Sequence, residues 1–274
     1  MKTSPKLILI LTALFAAAGF FLRRGQLAKE LLSGGFLAQG SYLHIVLLIL
    51  TAVLVVGLTV LLLPLEKKES WLQVFTPAPL PNSLLLLSSV GLLAGNLLLL
   101  LAGGSDLPAT AVNAPQMITL LNSLQGPLGI LAAGCIAAFS MLCLYKKKPS
   151  ALLYMSASIY LVVRLIVHFQ SWNTDPSVHD YAYQLLAAIC AMLGTFQLAG
   201  FSFDKGKRRM SLFWCLCSVF FCGITVADSL HCGQAAEILI NASLLLFVLT
   251  SACQLLFAKG EAPVKEEAVS PEEL

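Results

Sequence analysis

The chain has 274 residues, 58% hydrophobic and only 11% charged, with a mean hydropathy of +0.86 and a formal net charge of +3. That composition lies far from a soluble globular average and places it among polytopic membrane proteins. It excludes a soluble catalytic domain, since no loop or tail is long enough to bury a core of its own. It also excludes a nucleic-acid binder, because no basic stripe with interleaved aromatics is present.

Eight apolar segments are predicted to span the membrane as an all-α bundle of four helical hairpins: residues 7–22, 42–65, 83–102, 126–145, 151–170, 181–203, 211–230 and 235–257. Most are about twenty residues, or roughly 30 Å as helix, which matches the hydrocarbon core. Orientation follows from the basic residues. With the N-terminus inside, thirteen of the seventeen lie on the cytoplasmic side: Lys2, Lys6, Lys67, Lys68, Lys146, Lys147, Lys148, Lys205, Lys207, Arg208, Arg209, Lys259 and Lys265. Arg23, Arg24 and Lys29 dissent in the first outer loop, and Arg164 falls within the membrane. Both termini are therefore expected inside a cell membrane. The sole Asn-X-Ser/Thr triplet, at Asn241, lies within the last segment, where glycosylation cannot reach it, and is compatible with a bacterial cytoplasmic membrane.

The first segment has a second reading. Lys2 and Lys6, the run Leu7 to Phe15 and the small residues Ala16 to Ala18 resemble a signal peptide, and cleavage after Ala18 would leave seven helices. An uncleaved anchor is expected, because Phe20 to Leu22 continue the apolar run. Beyond it, residues 25–41 read as an outer loop with a short helical piece at 26–32, stopped by Gly34 and Gly35. Trp71 and Phe75 read as an interfacial anchor, followed by a stiff connection at Pro77, Pro79 and Pro81.

The third segment carries Ser88, Gly91 and Gly95, a small-residue pattern that lets helix backbones approach, here within the same chain. Residues 117–124 read as a short amphipathic helix on the outer surface, broken from the fourth segment by Gly126 and Pro127. Asn96 is the only strongly polar side chain within the first four segments, so residues 1–145 read as an apolar scaffold. The tail, residues 259–274, carries five glutamates against two lysines and is expected to be disordered.

The second half, residues 146–258, differs. Tyr160, Arg164 and His168 stand four residues apart and share one helical face. Arg164 lies in the middle of an apolar segment, where a lone charge is costly. The sixth segment opens with Asp180, Tyr183 and Gln184 and continues on one side through Ala187, Ala191 and Gly194 to Gln197. The seventh carries Thr225 and Asp228, with His231 just beyond, and the eighth starts Gln234, Glu237, Asn241. These spacings of three and four put each set on one face, and all four stripes begin at the outer side. A repeat supports pairing them: Asp180 and Gln197 are seventeen residues apart, as are Glu237 and Gln254.

Counting about 1.5 Å per residue from the basic boundaries puts Arg164 roughly 20 Å and Asp228 roughly 25 Å from the cytoplasmic side. Arg164 is therefore expected to pair with Asp228 or Glu237 in an outward-facing polar pocket formed by the last four helices. Tyr160, Arg164, His168, Asp180, Tyr183, Gln184, Asp228, Glu237 and Asn241 are its candidate residues. The leading function is transport or sensing of a small polar solute or proton, since intramembrane ionisable groups mark such pathways. One alternative is a non-transporting accessory subunit that binds a membrane partner or a second copy of itself through small-residue faces. Another is a metal site built from His168, His179, Asp228 and His231, although that spacing matches no ligand motif. No enzyme motif is present: there is no H-E-x-x-H, no G-x-S-x-G and no nucleophile set beside His231. Seven cysteines fall in apolar segments, where they act as small packing residues; only Cys232 is in a loop.

Overall fold

A computed structural model describes residues 5–30, 42–64, 79–102, 116–145, 147, 150–172, 178–203 and 205–257. Trp71, Phe75, Pro77, the Gly34–Gly35 pair and the tail 259–274 lie outside these described residues. Among the described residues eight helices are each long and apolar enough to cross a membrane, and they form the bundle. They are α1 (Pro5–Glu30), α2 (Tyr42–Leu62), α3 (Pro79–Leu101), α4 (Gln116–Leu144), α5 (Leu152–Trp172), α6 (Val178–Ala199), α7 (Arg208–Cys232) and α8 (Ala235–Phe257). A 3-10 turn, Gly200–Phe203, closes α6.

Two boundaries differ from the sequence reading. The first segment does not stop at residue 22 before a separate outer piece: α1 runs unbroken through Arg23 and Arg24 to Glu30. Arg23, Gln26 and Leu27 are buried against other helices, so this stretch is held by protein rather than released into a loop. The fourth segment is not broken at Gly126 and Pro127 either, since α4 is continuous from Gln116 with Pro127 inside it. In a bilayer no water is at hand to satisfy freed backbone groups, so a helix that loses one hydrogen bond at a proline gains by continuing. Gly126 serves packing instead, because a Cβ there would stand 3.4 Å from Leu100 of α3. At its other end α3 opens with Pro79 and Pro81 in the first turn, where a missing N–H costs no helical bond.

Successive helices pair as hairpins, and six of them close a ring in which α3 packs on α4, α4 on α5, α5 on α6, α6 on α7, α7 on α8 and α8 back on α3. The α1–α2 hairpin lies outside that ring, against α7. Inside the ring α5 and α8 face each other through long side chains, Tyr154 with Phe247 (ring centroids 6.1 Å apart) and Arg164 with Glu237. This contact divides the interior into one compartment between α5, α6, α7 and α8, and another between α3, α4, α5 and α8.

The helix with most protein around it is α7, 78% of whose most apolar window is buried, against 22% for α2, which leaves most of its surface to lipid. Arg208, at the first turn of α7, donates from Nε to the carbonyl of Leu255 at 2.8 Å and from Nη2 to that of Leu256 at 3.3 Å. It thereby satisfies carbonyls that the end of α8 leaves open. At the other end Gly233, with φ of 72°, stops α7 by donating its N–H to Ser229. The expected close approach of α3 is to α8. A Cβ on Gly95 would fall 2.7 Å from Ile240 and 3.2 Å from the carbonyl oxygen of Ala236, and one on Gly91 would strike Ser243.

Candidate functional site

Arg164 is 4% exposed near the α7–α8 turn end of α5, and its charge is met by Glu237 in the first turn of α8. Nη2 lies 2.5 Å from Oε2 and Nη1 donates to Oε1 at 3.3 Å, a two-pronged, charge-assisted contact. Nη2 also donates to Oδ1 of Asn241 at 3.2 Å. Asn241 stands one turn after Glu237, and its Nδ2 donates to Oγ of Ser229 at 2.7 Å. Ser229 in turn donates to the carbonyl of Thr225 at 2.9 Å. One network therefore ties α5, α8 and α7.

Asp228, the other carboxylate expected for Arg164, belongs elsewhere. Nε of Arg23, on α1, donates to its Oδ1 at 2.6 Å, and both side chains are almost wholly buried, at 3% and 5% exposed. Arg23 also donates to Gln26 at 3.1 Å and lies over the ring of Tyr183 of α6, 5.6 Å from its centroid. Successive helical residues differ by about 100° in direction. Thr225 and Ser229, four apart, therefore face α8, while Asp228 is turned toward α1. Of the three basic residues that broke the charge asymmetry of the loops, all lie in α1 rather than in a loop, and Arg23 is half of a second buried ion pair.

The compartment between α5, α6, α7 and α8 holds a small cavity. Its polar lining is Arg164, His168, Gln184, Thr225 and Asn241, and its apolar lining includes Leu161, Ala187 and Leu244. Its volume is about 20 Å³, on a measure by which one water molecule needs roughly 10–15 Å³. The site in this conformation is therefore water-sized. Glu237 does not line it, but holds Arg164 and Asn241, which do, and keeps 17% of its own side chain exposed.

Of the other candidates, Tyr160 is 1% exposed and does not line this cavity, with Arg164 and Asn96 of α3 as its polar neighbours. Tyr183 packs with Arg23 and Phe221 rather than lining the cavity. His231 is exposed beyond the end of the polar stripe. The side chains of His179 and Asp180 lie outside those described. Among the described residues no three His, Cys, Asp or Glu side chains converge so as to hold a metal ion, and His168, Asp228 and His231 are not brought together.

Among the buried polar residues that the sequence did not single out for the site are Arg23, Asn82, Gln125, Gln254 and Ser229. Arg23 had a signal, its violation of the charge asymmetry. Asn82, Gln125 and Gln254 stand near the ends of apolar runs, where a polar residue reads as a boundary. In the structure they are 0%, 0% and 7% exposed. No family model, curated protein or solved structure matches this chain.

Proposed function

We propose that this multi-pass membrane protein transports or senses a proton or a water-sized polar solute at the cavity between α5, α6, α7 and α8. Arg164 and Glu237 form the charged gate, and His168, Gln184 and Asn241 provide the hydrogen-bonding wall. The observation that carries the reading is a buried arginine lining a cavity of water dimensions, paired with a carboxylate that keeps part of its side chain exposed. Buried ionisable groups of this kind mark proton and solute routes in membranes. The distribution of basic residues supports placing this end of the bundle outside and both termini inside a cell membrane, with the cavity nearer the outer face. The size of the cavity favours protons, water and ions of similar size over organic solutes.

The test is flux into proteoliposomes bearing the wild-type chain, Arg164→Gln or Glu237→Gln, with proton entry read by a trapped pH dye. Wild-type flux above that of empty vesicles, lost in both variants, supports the reading. Wild-type vesicles as tight as empty ones sink it as a transporter, and an unchanged cavity environment across an external pH or solute titration sinks it as a sensor. A second reading, an accessory subunit, draws on the exposed face of α4, where Gly134 has open space around it and Ala138 follows one turn on. Stoichiometric co-purification of a membrane partner, lost in Gly134→Leu, supports that reading.

A further inference from the structure

The second compartment is also polar. Asn82 and Asn96 of α3, Gln125 of α4, Tyr160 of α5 and Gln254 of α8 are each at least nine-tenths buried. Each of the four amides carries a side-chain polar atom without a hydrogen-bond partner among the described residues, Nδ2 of Asn82, Oδ1 of Asn96, both ends of Gln125 and Oε1 of Gln254, while the hydroxyl of Tyr160 stands within reach of both Asn96 and Arg164. The four helices that supply them are those that wall this compartment. Polar atoms shielded from lipid and protein partners alike cost several kcal/mol each on general grounds unless water reaches them. Such groups are kept where a polar path runs.

Their heights form a sequence through the membrane. Tyr160 stands one turn from Arg164 and beside Asn96. Six residues earlier on α5, about 9 Å along the axis, Tyr154 has its hydroxyl beside Ser251. Gln254, one turn further on α8, donates to Oδ1 of Asn82 at 3.2 Å. Phe139 and Phe247 pack on Tyr154 at ring-centroid distances of 4.2 and 6.1 Å, which makes this level too crowded for a solute.

We infer that the compartment between α3, α4, α5 and α8 is a proton path leading from the Arg164–Glu237 gate through Tyr160 and Tyr154 to an inner station at Asn82 and Gln254. The inference rests on the transport reading above and names its cargo as the proton. Each hydroxyl and each water between them accepts a proton from one side as it gives one up to the other, while the amides hold those waters by hydrogen bonds and keep their own protons. One proton leaves the outer solution, one appears inside, and no side chain is altered. The aromatic level excludes hydrated ions while its hydroxyl keeps the relay continuous.

The experiment is potential-driven proton entry into proteoliposomes, using a potassium gradient with valinomycin and trapped pyranine. It compares the wild type with Tyr160→Phe and with the double variant Asn82→Leu, Gln254→Leu, which removes both members of the amide pair so that neither is stranded. Flux lower by about tenfold or more in both variants, with an unchanged unfolding midpoint, is expected. Wild-type flux abolished in Arg164→Gln but kept within about twofold in both path variants overturns the path and leaves the gate. No wild-type proton flux overturns the path, and potassium or solute flux measured on the same vesicles then decides whether the gate reading falls with it. Should the double variant fail to fold, Tyr160→Phe decides alone, since it deletes a single oxygen and keeps the packed ring, and its unfolding midpoint shows whether the loss of the contacts to Asn96 and Arg164 is structural.

Discussion

Arg23 and Asp228 are 205 residues apart in the chain and 2.6 Å apart in space, and together they fasten the outlying α1–α2 hairpin to the central helix α7. Removing one member of a buried pair strands the other. Arg23→Met or Asp228→Leu alone is expected to cost about 3–5 kcal/mol, and the two together far less than the sum. A double-mutant cycle on unfolding in detergent measures this. Additivity to within about 0.5 kcal/mol is the result that refutes the coupling.

The second pair is asymmetric, and the asymmetry can be measured. Glu237→Leu leaves Arg164, with 5% of its side chain exposed, without a carboxylate and with Asn241 as a neutral partner. Arg164→Leu leaves a carboxylate with 17% of its side chain exposed. The glutamate substitution is expected to be the more damaging, by about 1–2 kcal/mol, because the stranded guanidinium has less access to water. The same unfolding assay ranks them, and the reverse order contradicts the depth assigned to each.

Two glycines separate packing from propensity. Alanine is the better helix former by about 1 kcal/mol, so Gly134→Ala, with nothing within 4 Å of its Cβ, should stabilise. At Gly95 the same change sets a Cβ against Ile240 and the backbone of Ala236. It should destabilise by about 1–3 kcal/mol as α3 is pushed off α8. Equal effects at the two sites argue against the α3–α8 contact.

Cys232 is exposed at the α7–α8 turn, while Cys143, Cys190, Cys215, Cys217 and Cys222 are buried. A membrane-impermeant maleimide applied to intact cells is expected to label the chain at Cys232 and to lose that label in Cys232→Ser. Labelling only in inverted vesicles reverses the orientation and turns the cavity inward.

The parts of the fold legible in the sequence were those written in local composition. Eight apolar runs, their order and the need of Arg164 for a carboxylate all follow from the cost of polar groups in lipid, a property of each residue by itself. The partner of Arg23 was hidden because pairing over two hundred residues leaves no local trace, and a basic residue at the end of an apolar run reads as a boundary. The same ambiguity hid Asn82 and Gln254, which lie at the ends of their segments yet face each other across α3 and α8. Pro127 misled in the other direction: proline breaks helices where water can take the freed groups, and here it cannot.

The arrangement of charges also sets an order on synthesis. Both buried arginines come early, on α1 and α5, whereas Asp228 and Glu237 are made with the last two helices. A nascent chain halted before residue 208 carries two guanidinium groups with no acid to receive them and lacks the helix on which its neighbours assemble. Such truncated products should be shielded by the insertion machinery or degraded, and the bundle can close only once the ribosome has delivered its final hairpin.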